Sequence, residues 1–198
     1  MTRSDKTETT RQTILSVGRR LVMRGGFGAM GLSTLLKECR VPKGSFYHYF
    51  PSKEAFGQAM LQDYVQDYLA RVDALLAREG CGADKLRAFC ASWLDQEREA
   101  GLVSTCLVVK LGAEVADLSE AMRQVLDEGA KALVGKLAIM LQDGAADGSL
   151  RIQDAPESAA QVLYAQFLGA AILSKLSHDQ GPLETALKDI KARLIVSA

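Results

Sequence analysis

Apolar residues recur at intervals of three and four positions along nearly the whole chain, and no long segment alternates between apolar and polar residues. That period places apolar side chains on one face of an α-helix, whereas a half-buried strand needs a period of two. Glycine and proline interrupt the pattern at points where helices end or begin. The pattern therefore predicts an all-α protein of about nine helices.

The composition is that of an ordinary globular protein. Hydrophobic residues make up 48% and charged residues 24% of the 198 residues, which is enough to build a core without disulfides. No apolar run reaches the ~18 residues that cross a bilayer, and the polar amino end carries both charge signs, unlike a signal peptide. We therefore expect a cytoplasmic protein with no membrane partner.

Charge is divided unevenly along the chain although the total is zero. The first 60 residues carry ten Lys or Arg against four Asp or Glu, a net charge of +6, and the remainder carries −6. A basic head suits a nucleic-acid partner, because neutralised phosphates supply most non-specific affinity. The alternative is that charged surface residues are unevenly distributed by chance and bind no nucleic acid.

Three helices are predicted in this basic segment, over residues 10–23, 33–39 and 45–49. Ser33 is the expected cap of the second helix, and Val41-Pro42 ends it. Two short helices joined by a tight turn predict a helix-turn-helix. We expect a DNA-binding domain over residues 1–55. Residues 56–198 are expected to form a helical sensing and dimerising body, with helices over 52–78, 83–100, 105–115, 119–142, 159–176 and 181–196.

The third helix is too short to be stable alone. Phe46 and Phe50, one turn apart, are expected to anchor it inward. Gly44 lets its backbone approach DNA closely, and Lys53 at the start of the next helix is placed to meet a phosphate. An aromatic core cluster beside a turn is the alternative reading. The residues expected to face a groove are Lys43, Ser45, Tyr47, His48 and Tyr49.

Residues 10–60 resemble the amino-terminal domain of the TetR family of repressors. The resemblance rests on Gly26-Phe27, Leu35-Leu36, Val41-Pro42-Lys43-Gly44-Ser45-Phe46-Tyr47-His48-Tyr49-Phe50 and Ser52-Lys53-Glu54. It implies that the third helix enters the major groove of double-stranded DNA. The resemblance also implies base contacts from Lys43, Ser45 and His48, phosphate contacts from Tyr47, Tyr49 and Lys53, and further contacts from Ser33 and Thr34.

The helix near residues 159–173 is apolar around most of its circumference, so it must be buried on more than one side. The resemblance implies a homodimer joined by a four-helix bundle of the last two helices of each chain, which would present two recognition helices to a palindromic operator. A purely intramolecular core is the alternative. The side chains expected at the interface are Leu163, Phe167, Ala170, Leu187 and Ile190.

Four cysteines lack the spacing of a zinc site, and only two histidines accompany them, so we expect free thiols, no metal and no cofactor. Cys106 is the informative one. Ser104 or Thr105 would cap a helix with Cys106 in its first turn, where unpaired N–H groups and Lys110 would favour a thiolate. Apolar neighbours would oppose this, and an inert buried thiol is the alternative.

The body resembles the branch of the TetR family that responds to reactive electrophiles and oxidants. The likeness is carried by Cys106-Leu107-Val108-Val109-Lys110-Leu111, Ala113-Glu114-Val115, Asp117-Leu118-Ser119-Glu120, Ala160-Gln161-Val162-Leu163-Tyr164-Ala165 and Leu168-Gly169-Ala170. It implies that Cys106 is the sensing cysteine, with Lys175 as its functional partner. Ordinary surface exposure of Lys175 is the alternative, since a lysine after an apolar helix can also snorkel.

The favoured hypothesis is therefore a repressor that releases DNA when Cys106 is modified. A regulator with a reversible hydrophobic effector is the alternative, with a pocket lined by Phe89, Trp93, Met122, Leu126 and Tyr164. A thiol enzyme pairing Cys106 with His178 is a third reading. No acyl-transfer, phosphate-binding or metal motif accompanies that pair, so we expect no enzyme.

Overall fold

The computed structural model describes residues 3–94 and 106–196, with side chains described from residue 8 onward. Within those ranges the only extended pairing is an isolated bridge between Leu150 and Ile195. The all-α prediction is confirmed. The helices of the described residues are α1 (Arg3–Gly25), α2 (Leu32–Cys39), α3 (Lys43–Tyr49), α4 (Lys53–Leu76), α5 (Gly82–Leu94), α6 (Leu107–Leu118), α7 (Glu120–Ala146), α8 (Pro156–Ser177) and α9 (Gly181–Leu194).

Several helix boundaries differ from the prediction, α1 most of all, since it begins at Arg3 and not at residue 10. Two of the differences have identifiable structural features. The cap of α2 is Gly31 rather than Ser33, and the Leu35 N–H donates to the Gly31 carbonyl at 3.1 Å. Helix α7, predicted over 119–142, continues through Gly144 to Ala146, and this glycine packs closely against α5: a Cβ on Gly82 would collide with the Gly144 Cα. The predicted helical residues 95–100 and the predicted caps Ser104 and Thr105 lie outside the described residues.

The first of two compact units comprises Met1–Gln66 and Lys110–Asp127. Phe56 closes against α1 so tightly that a Cβ on Gly18 would collide with its ring. This close packing is what lets short helices persist. The buried core of the unit includes Ile14, Leu15, Phe27, Leu35, Phe46, Phe50 and Phe56.

The second unit comprises Asp67–Val109 and Glu128–Ala198. Its centre is aromatic: the Trp93 ring stacks on Phe167 with centroids 4.8 Å apart, and Phe89 meets Phe167 edge-on at 5.3 Å. Such pairs add about 0.5–1.5 kcal/mol to the area they bury. This cluster joins α5 to α8.

These contact-based units are divided differently from the predicted functional domains, 1–55 and 56–198, which remain a prediction. Helices α4, α6 and α7 each contribute residues to both units. Residues 110–127 group with the first unit because Glu114 bonds to the amides of Phe27 and Gly28 and Ser119 to Glu54. Contacts between residues so distant in sequence cannot be read from local periodicity.

Helix α8 is, among the described residues, the one helix long and apolar enough to cross a membrane by length and composition. As the sequence predicts, the helix contains no unbroken apolar run of ~18 residues, because Gln161, Gln166 and Ser174 interrupt it. Within the chain, 39% of its most apolar stretch is buried. A core helix of a globular protein passes the same test, since burial on several sides also demands apolar residues.

Candidate nucleic-acid interface and thiol site

Helix α3 is held in place by phenylalanines on one face. Phe46 is fully buried and Phe50 is 2% exposed, with ring centroids 5.4 Å apart. Phe56 completes the cluster at 5.7 Å from Phe46 and 5.3 Å from Phe50. Because seven residues are too few for a stable isolated helix, this packing is what fixes α3. The predicted inward role of Phe46 and Phe50 is confirmed.

The remaining side chains of α3 lie on its accessible side. No atom lies within 4 Å of the place a Cβ would take on Gly44, so packing within the chain does not require glycine there. The Lys43 ammonium lies 6.0 Å from the centre of the Tyr47 ring. A cation, a phenol, an imidazole and a hydroxyl are therefore available on one short helix. Lys43, Gly44, Tyr47 and His48 are exposed, and Ser45 and Tyr49 are half-buried.

Helix α2 presents Ser33 and Thr34 in its first turn, and both are exposed. Arg20 on α1 forms a 2.8 Å ion pair with Glu38 on α2. An exposed pair of this kind contributes about 0–1 kcal/mol. It orients the two helices more than it stabilises them.

Lys53 is the first residue of α4, as predicted, but its ammonium is already engaged within the chain. Its Nζ donates to the Gly28 carbonyl at 3.2 Å and lies 5.0 Å from the centre of the Phe27 ring. Ser52 caps the same helix, its hydroxyl accepting from the Ala55 N–H at 2.9 Å. Lys53, which was predicted to contact a phosphate, therefore also contacts the turn between α1 and α2.

Sequence reasoning missed Glu114. Its carboxylate accepts hydrogen bonds from the Phe27 N–H at 3.2 Å and the Gly28 N–H at 2.7 Å. The only signals were a glycine-flanked phenylalanine and an acid in the middle of a later helix, 86 residues away. Nothing in the local pattern connects them.

Cys106 lies directly before α6 and is 1% exposed. Its sulfur accepts from the Val109 N–H at 3.5 Å, the hydrogen bond that an N-capping side chain makes. The prediction placed Cys106 in the first turn behind a serine or threonine cap. Instead the thiol occupies the capping position itself, where helix N–H groups favour a thiolate and burial opposes its ionisation.

Two buried phenols lie close enough to interact with Cys106. Burial raises the pKa of Tyr68 well above its usual value, and the electrostatic interaction with Cys106 raises it further. The pKa of Tyr164 is raised by the same two causes, burial first. Both side chains therefore remain neutral hydroxyls throughout the physiological pH range.

Cys39 and Cys90 are in surroundings that favour the thiol. Burial raises the pKa of Cys90 to about 11 and also raises that of Cys39. Cys81 is partly exposed, and its thiol donates to an Asp84 carboxylate oxygen at 3.2 Å. Among the residues that the structure describes, no group of three His, Cys, Asp or Glu side chains could hold a metal.

The two lysines predicted to assist Cys106 differ in their surroundings. Lys110 is half-buried on α6, and Lys175 is exposed in the last turn of α8. A cation in that turn is favoured by the helix dipole alone.

The side chains predicted at the dimer interface are all buried within a single chain. The apolar face that α8 leaves open carries other residues, Val162, Ile172, Leu173 and Leu176, which are 44–75% exposed. The periodicity identified an apolar helix, but it could not separate its inner face from its outer face. The inner set consists of Leu163, Phe167, Ala170, Leu187 and Ile190.

The residues predicted to line an effector pocket are also buried, and Phe89 and Trp93 are packed ring against ring with Phe167. A cavity of about 350 Å³ lies elsewhere, between the segment 151–154 and helices α8 and α9. Its lining includes Arg151, Val162 and Leu194.

Sequence profiles of known families match both parts of the chain. The profile described as the tetracyclin repressor-like C-terminal domain matches residues 82–190, and that of the bacterial regulatory proteins of the tetR family matches residues 14–60. The chain belongs to the TetR family. It is a DNA-binding transcriptional regulator and not an enzyme, and proteins of the TetR family act as dimers.

Individual relatives in the TetR family refine this placement. The transcriptional repressor NemR of Escherichia coli is 46% identical over 183 residues, 92% of each chain. The transcriptional regulator AcuR of Cereibacter sphaeroides is 30% identical over 88% of this chain and 80% of its own. A crystal structure of E. coli NemR, described as the reduced form, superposes with a TM-score of 0.90 at 45% identity, covering 96% of this chain and 99% of that one. The chain is thus a NemR-like repressor of the family.

Proposed function

We propose that this repressor releases its operator when an electrophile or oxidant modifies Cys106. The observation that carries the proposal is the Cys106 sulfur at the capping position of α6, 3.5 Å from the Val109 amide nitrogen. Helix N–H groups stabilise a thiolate, the reactive form of cysteine. That a NemR structure is described as a reduced form supports redox chemistry in a related protein.

The chemistry at the sulfur takes one of two courses. The thiol adds across the double bond of an activated alkene: a carbon–sulfur bond forms at the β-carbon, a proton is taken up at the α-carbon, and nothing leaves. Hydrogen peroxide instead oxidises the thiol to a sulfenic acid while the peroxide is reduced to water. A sulfenic acid at Cys106 that reaches the amine of Lys175 would form a sulfur–nitrogen bond and lose water.

Modification acts on the fold because the sulfur is 1% exposed. An added group must displace packed neighbours, which costs about 1–3 kcal/mol, and it removes the cap of α6. A bias of that size changes the balance of two conformations by about 5- to 150-fold. A bias of that size makes the released conformation the majority when the bound one is favoured by less than about 3 kcal/mol.

The DNA-binding surface in this proposal is the accessible side of α3. Lys43, Ser45 and His48 reach base edges, whereas Tyr47, Tyr49 and Lys53 bind phosphates. Exposed Ser33 and Thr34 on α2 add contacts, and Gly44 allows the backbone of α3 to approach. The buried pair Phe46 and Phe50 keeps this surface rigid enough to read sequence.

The proposed homodimer uses the outer face of α8. Val162, Ile172, Leu173 and Leu176 together form an exposed apolar strip, and isolated chains rarely leave such strips uncovered. Packing against a second copy, with α9 alongside, completes the four-helix bundle expected from the family. Two recognition helices then meet a palindromic operator.

Operator-shift assays with a reactive probe and its unreactive analogue test the sensing step. N-ethylmaleimide is expected to release the wild type and the control variant Cys81→Ser but not Cys106→Ser. The saturated analogue N-ethylsuccinimide, of similar shape but without the double bond, is expected to release none of them. Release of Cys106→Ser by the maleimide would remove Cys106 from the mechanism.

A reversible effector is the second candidate function, and the cavity of about 350 Å³ favours it. A pocket of that size can hold a small ligand, and its lining combines charged side chains such as Arg151 and Asp154 with apolar ones such as Leu163. Release of the wild type by N-ethylsuccinimide, with Cys106→Ser equally responsive, would favour this candidate over thiol chemistry.

A further inference from the structure

The turn between α1 and α2, residues 26–28, has a backbone that few sequences allow. Gly26 has a φ of +86°, a left-handed conformation that favours glycine. Its N–H donates to the Val22 carbonyl at 2.8 Å and so ends α1. Phe27 is 3% exposed and anchors the turn in the first unit. The turn is therefore a defined structure and not a loose connection.

The carboxylate of Glu114 fits this turn closely. One oxygen accepts from the Phe27 N–H at 3.2 Å and the other from the Gly28 N–H at 2.7 Å. A Cβ on Gly26 would lie 2.9 Å from one carboxylate oxygen, and a Cβ on Gly28 would lie 3.1 Å from the other. Side chains at either position would crowd the carboxylate, so both glycines make room for it. Hydrogen bonds to an ionised acceptor are about twice as strong as neutral ones.

The same peptide segment holds Lys53 from the other side. Gly28 gives its N–H to Glu114 and its carbonyl to the Lys53 ammonium, 3.2 Å away. The Phe27 ring, whose amide also donates to Glu114, lies 5.0 Å from that ammonium. The position of Lys53 therefore depends on the turn, and the turn depends on Glu114.

We infer that Glu114 is a positioning residue for operator binding, which acts by holding residues 26–28 and through them the Lys53 ammonium. The inference rests on the proposed function, because it takes Lys53 as a phosphate contact. Glu114 belongs to α6, the helix that Cys106 caps. Its carboxylate gives that helix a direct connection to the DNA-binding head.

The test compares Glu114→Gln with Asp117→Asn in the full-length protein. Both remove one negative charge from α6, but Asp117 is exposed and lies outside the turn contacts. In Glu114→Gln we expect faster hydrogen exchange of the Phe27 and Gly28 amides, because the amide side chain offers only one accepting oxygen. Operator affinity should fall about tenfold, the value of one strong hydrogen bond. Asp117→Asn should match the wild type in both measurements.

The salt dependence separates positioning of Lys53 from a general loss of stability. Each lost phosphate contact lowers the magnitude of the slope of log affinity against log salt by about 0.9. Glu114→Gln should therefore reduce the slope by about that amount for each subunit of the dimer. In a Lys53→Gln background, Glu114→Gln should cost no further affinity. A loss that adds fully to that of Lys53→Gln would overturn the route through Lys53.

Unchanged amide exchange, or an unchanged operator affinity of Glu114→Gln, would overturn this inference while the proposed function stands. Tighter operator binding by Glu114→Gln would also overturn the inference, because the contact between Glu114 and the turn would then stabilise the released state. Failure of the wild type to bind operator at low salt would overturn the proposed function and this inference together. Thermal unfolding of each variant identifies any loss of the fold.

Discussion

The hydroxyl of Ser119 donates to a carboxylate oxygen of Glu54 at 2.5 Å and accepts from the Met122 N–H at 3.3 Å. Ser119 therefore caps α7 while it holds the first turn of α4. It is 7% exposed, so water does not readily replace either bond. Like Glu114, it makes a polar contact that joins residues 110–127 to residues 1–66 within the first compact unit.

Replacing Ser119 with alanine should lower the free energy of unfolding by about 2 kcal/mol, through loss of a cap and of a bond to a charged acceptor. Urea denaturation at fixed protein concentration measures the change. Ser16→Ala is the matched control, since its exposed hydroxyl bonds only to the Thr13 carbonyl of its own helix. A change below about 0.5 kcal/mol in Ser119→Ala, the range of neutral surface substitutions, would contradict the contact.

Adjacent residues of α3 should separate stability from DNA binding. Phe46→Ala removes a fully buried ring and should cost about 3–5 kcal/mol of stability. Tyr47→Ala removes a ring that is 46% exposed and should leave stability within about 0.5 kcal/mol while it weakens operator binding several-fold. Denaturation and operator-shift titrations measure the two effects. Full operator affinity in Tyr47→Ala would remove Tyr47 from the DNA contacts.

The pH dependence of stability should change in Asp147→Asn. Hydrogen bonds from Ser149 and from the Gly82 N–H hold the pKa of the Asp147 carboxyl below its ordinary value of 3.8. A lowered pKa in the folded state gives stability above the ordinary pKa, and this stability is lost as pH falls through the lowered value. The wild type should therefore be more stable than the variant near pH 7, with the difference closing below about pH 4.

Thermal unfolding from pH 7 down to pH 3 checks this. Asp143→Asn, in the last turn of α7, is the control, because it removes the same charge from an exposed residue without removing the bonds that Asp147 accepts from Gly82 and Ser149. If the difference in unfolding temperature between wild type and Asp147→Asn were undiminished at pH 3, the substitution would act through packing and not through the charge of the carboxylate.

A charge on the outer face of α8 should separate the dimer. Leu173 is 57% exposed in the single chain, and Leu173→Glu would bury an unpaired carboxylate against the second copy, which is strongly unfavourable. Size-exclusion chromatography with light scattering should find a monomer. Ile139→Glu is the control, since Ile139 is 61% exposed on α7 and should remain dimeric. A dimeric Leu173→Glu would place the interface elsewhere.

The features that the sequence predicted well are local. Phe46 and Phe50 lie one helical turn apart, so spacing alone places them on the same face, and the structure buries both. The start of α4 behind Ser52 follows from capping chemistry in the same way. Each of these depends on residues within four positions of one another.

The features that the sequence did not predict depend on distant or directional contacts. Glu114 meets residues 26–28 across 86 positions, and no period in the sequence encodes that meeting. Helix α8 is apolar on nearly all sides, so its pattern could not tell buried Phe167 from exposed Leu173. The cap of α6 was assigned to serine or threonine because cysteine is not among the usual capping residues.

The central claim is that the state of the Cys106 sulfur decides whether the operator is held. The most direct test treats the operator complex with graded, sub-stoichiometric N-ethylmaleimide and divides each sample between peptide mass spectrometry and an operator-shift gel. The account predicts that the released fraction rises in step with the fraction of Cys106 that is alkylated and ignores the alkylation of Cys81. Release that proceeds while Cys106 remains unmodified, or full operator retention with Cys106 fully alkylated, would contradict it.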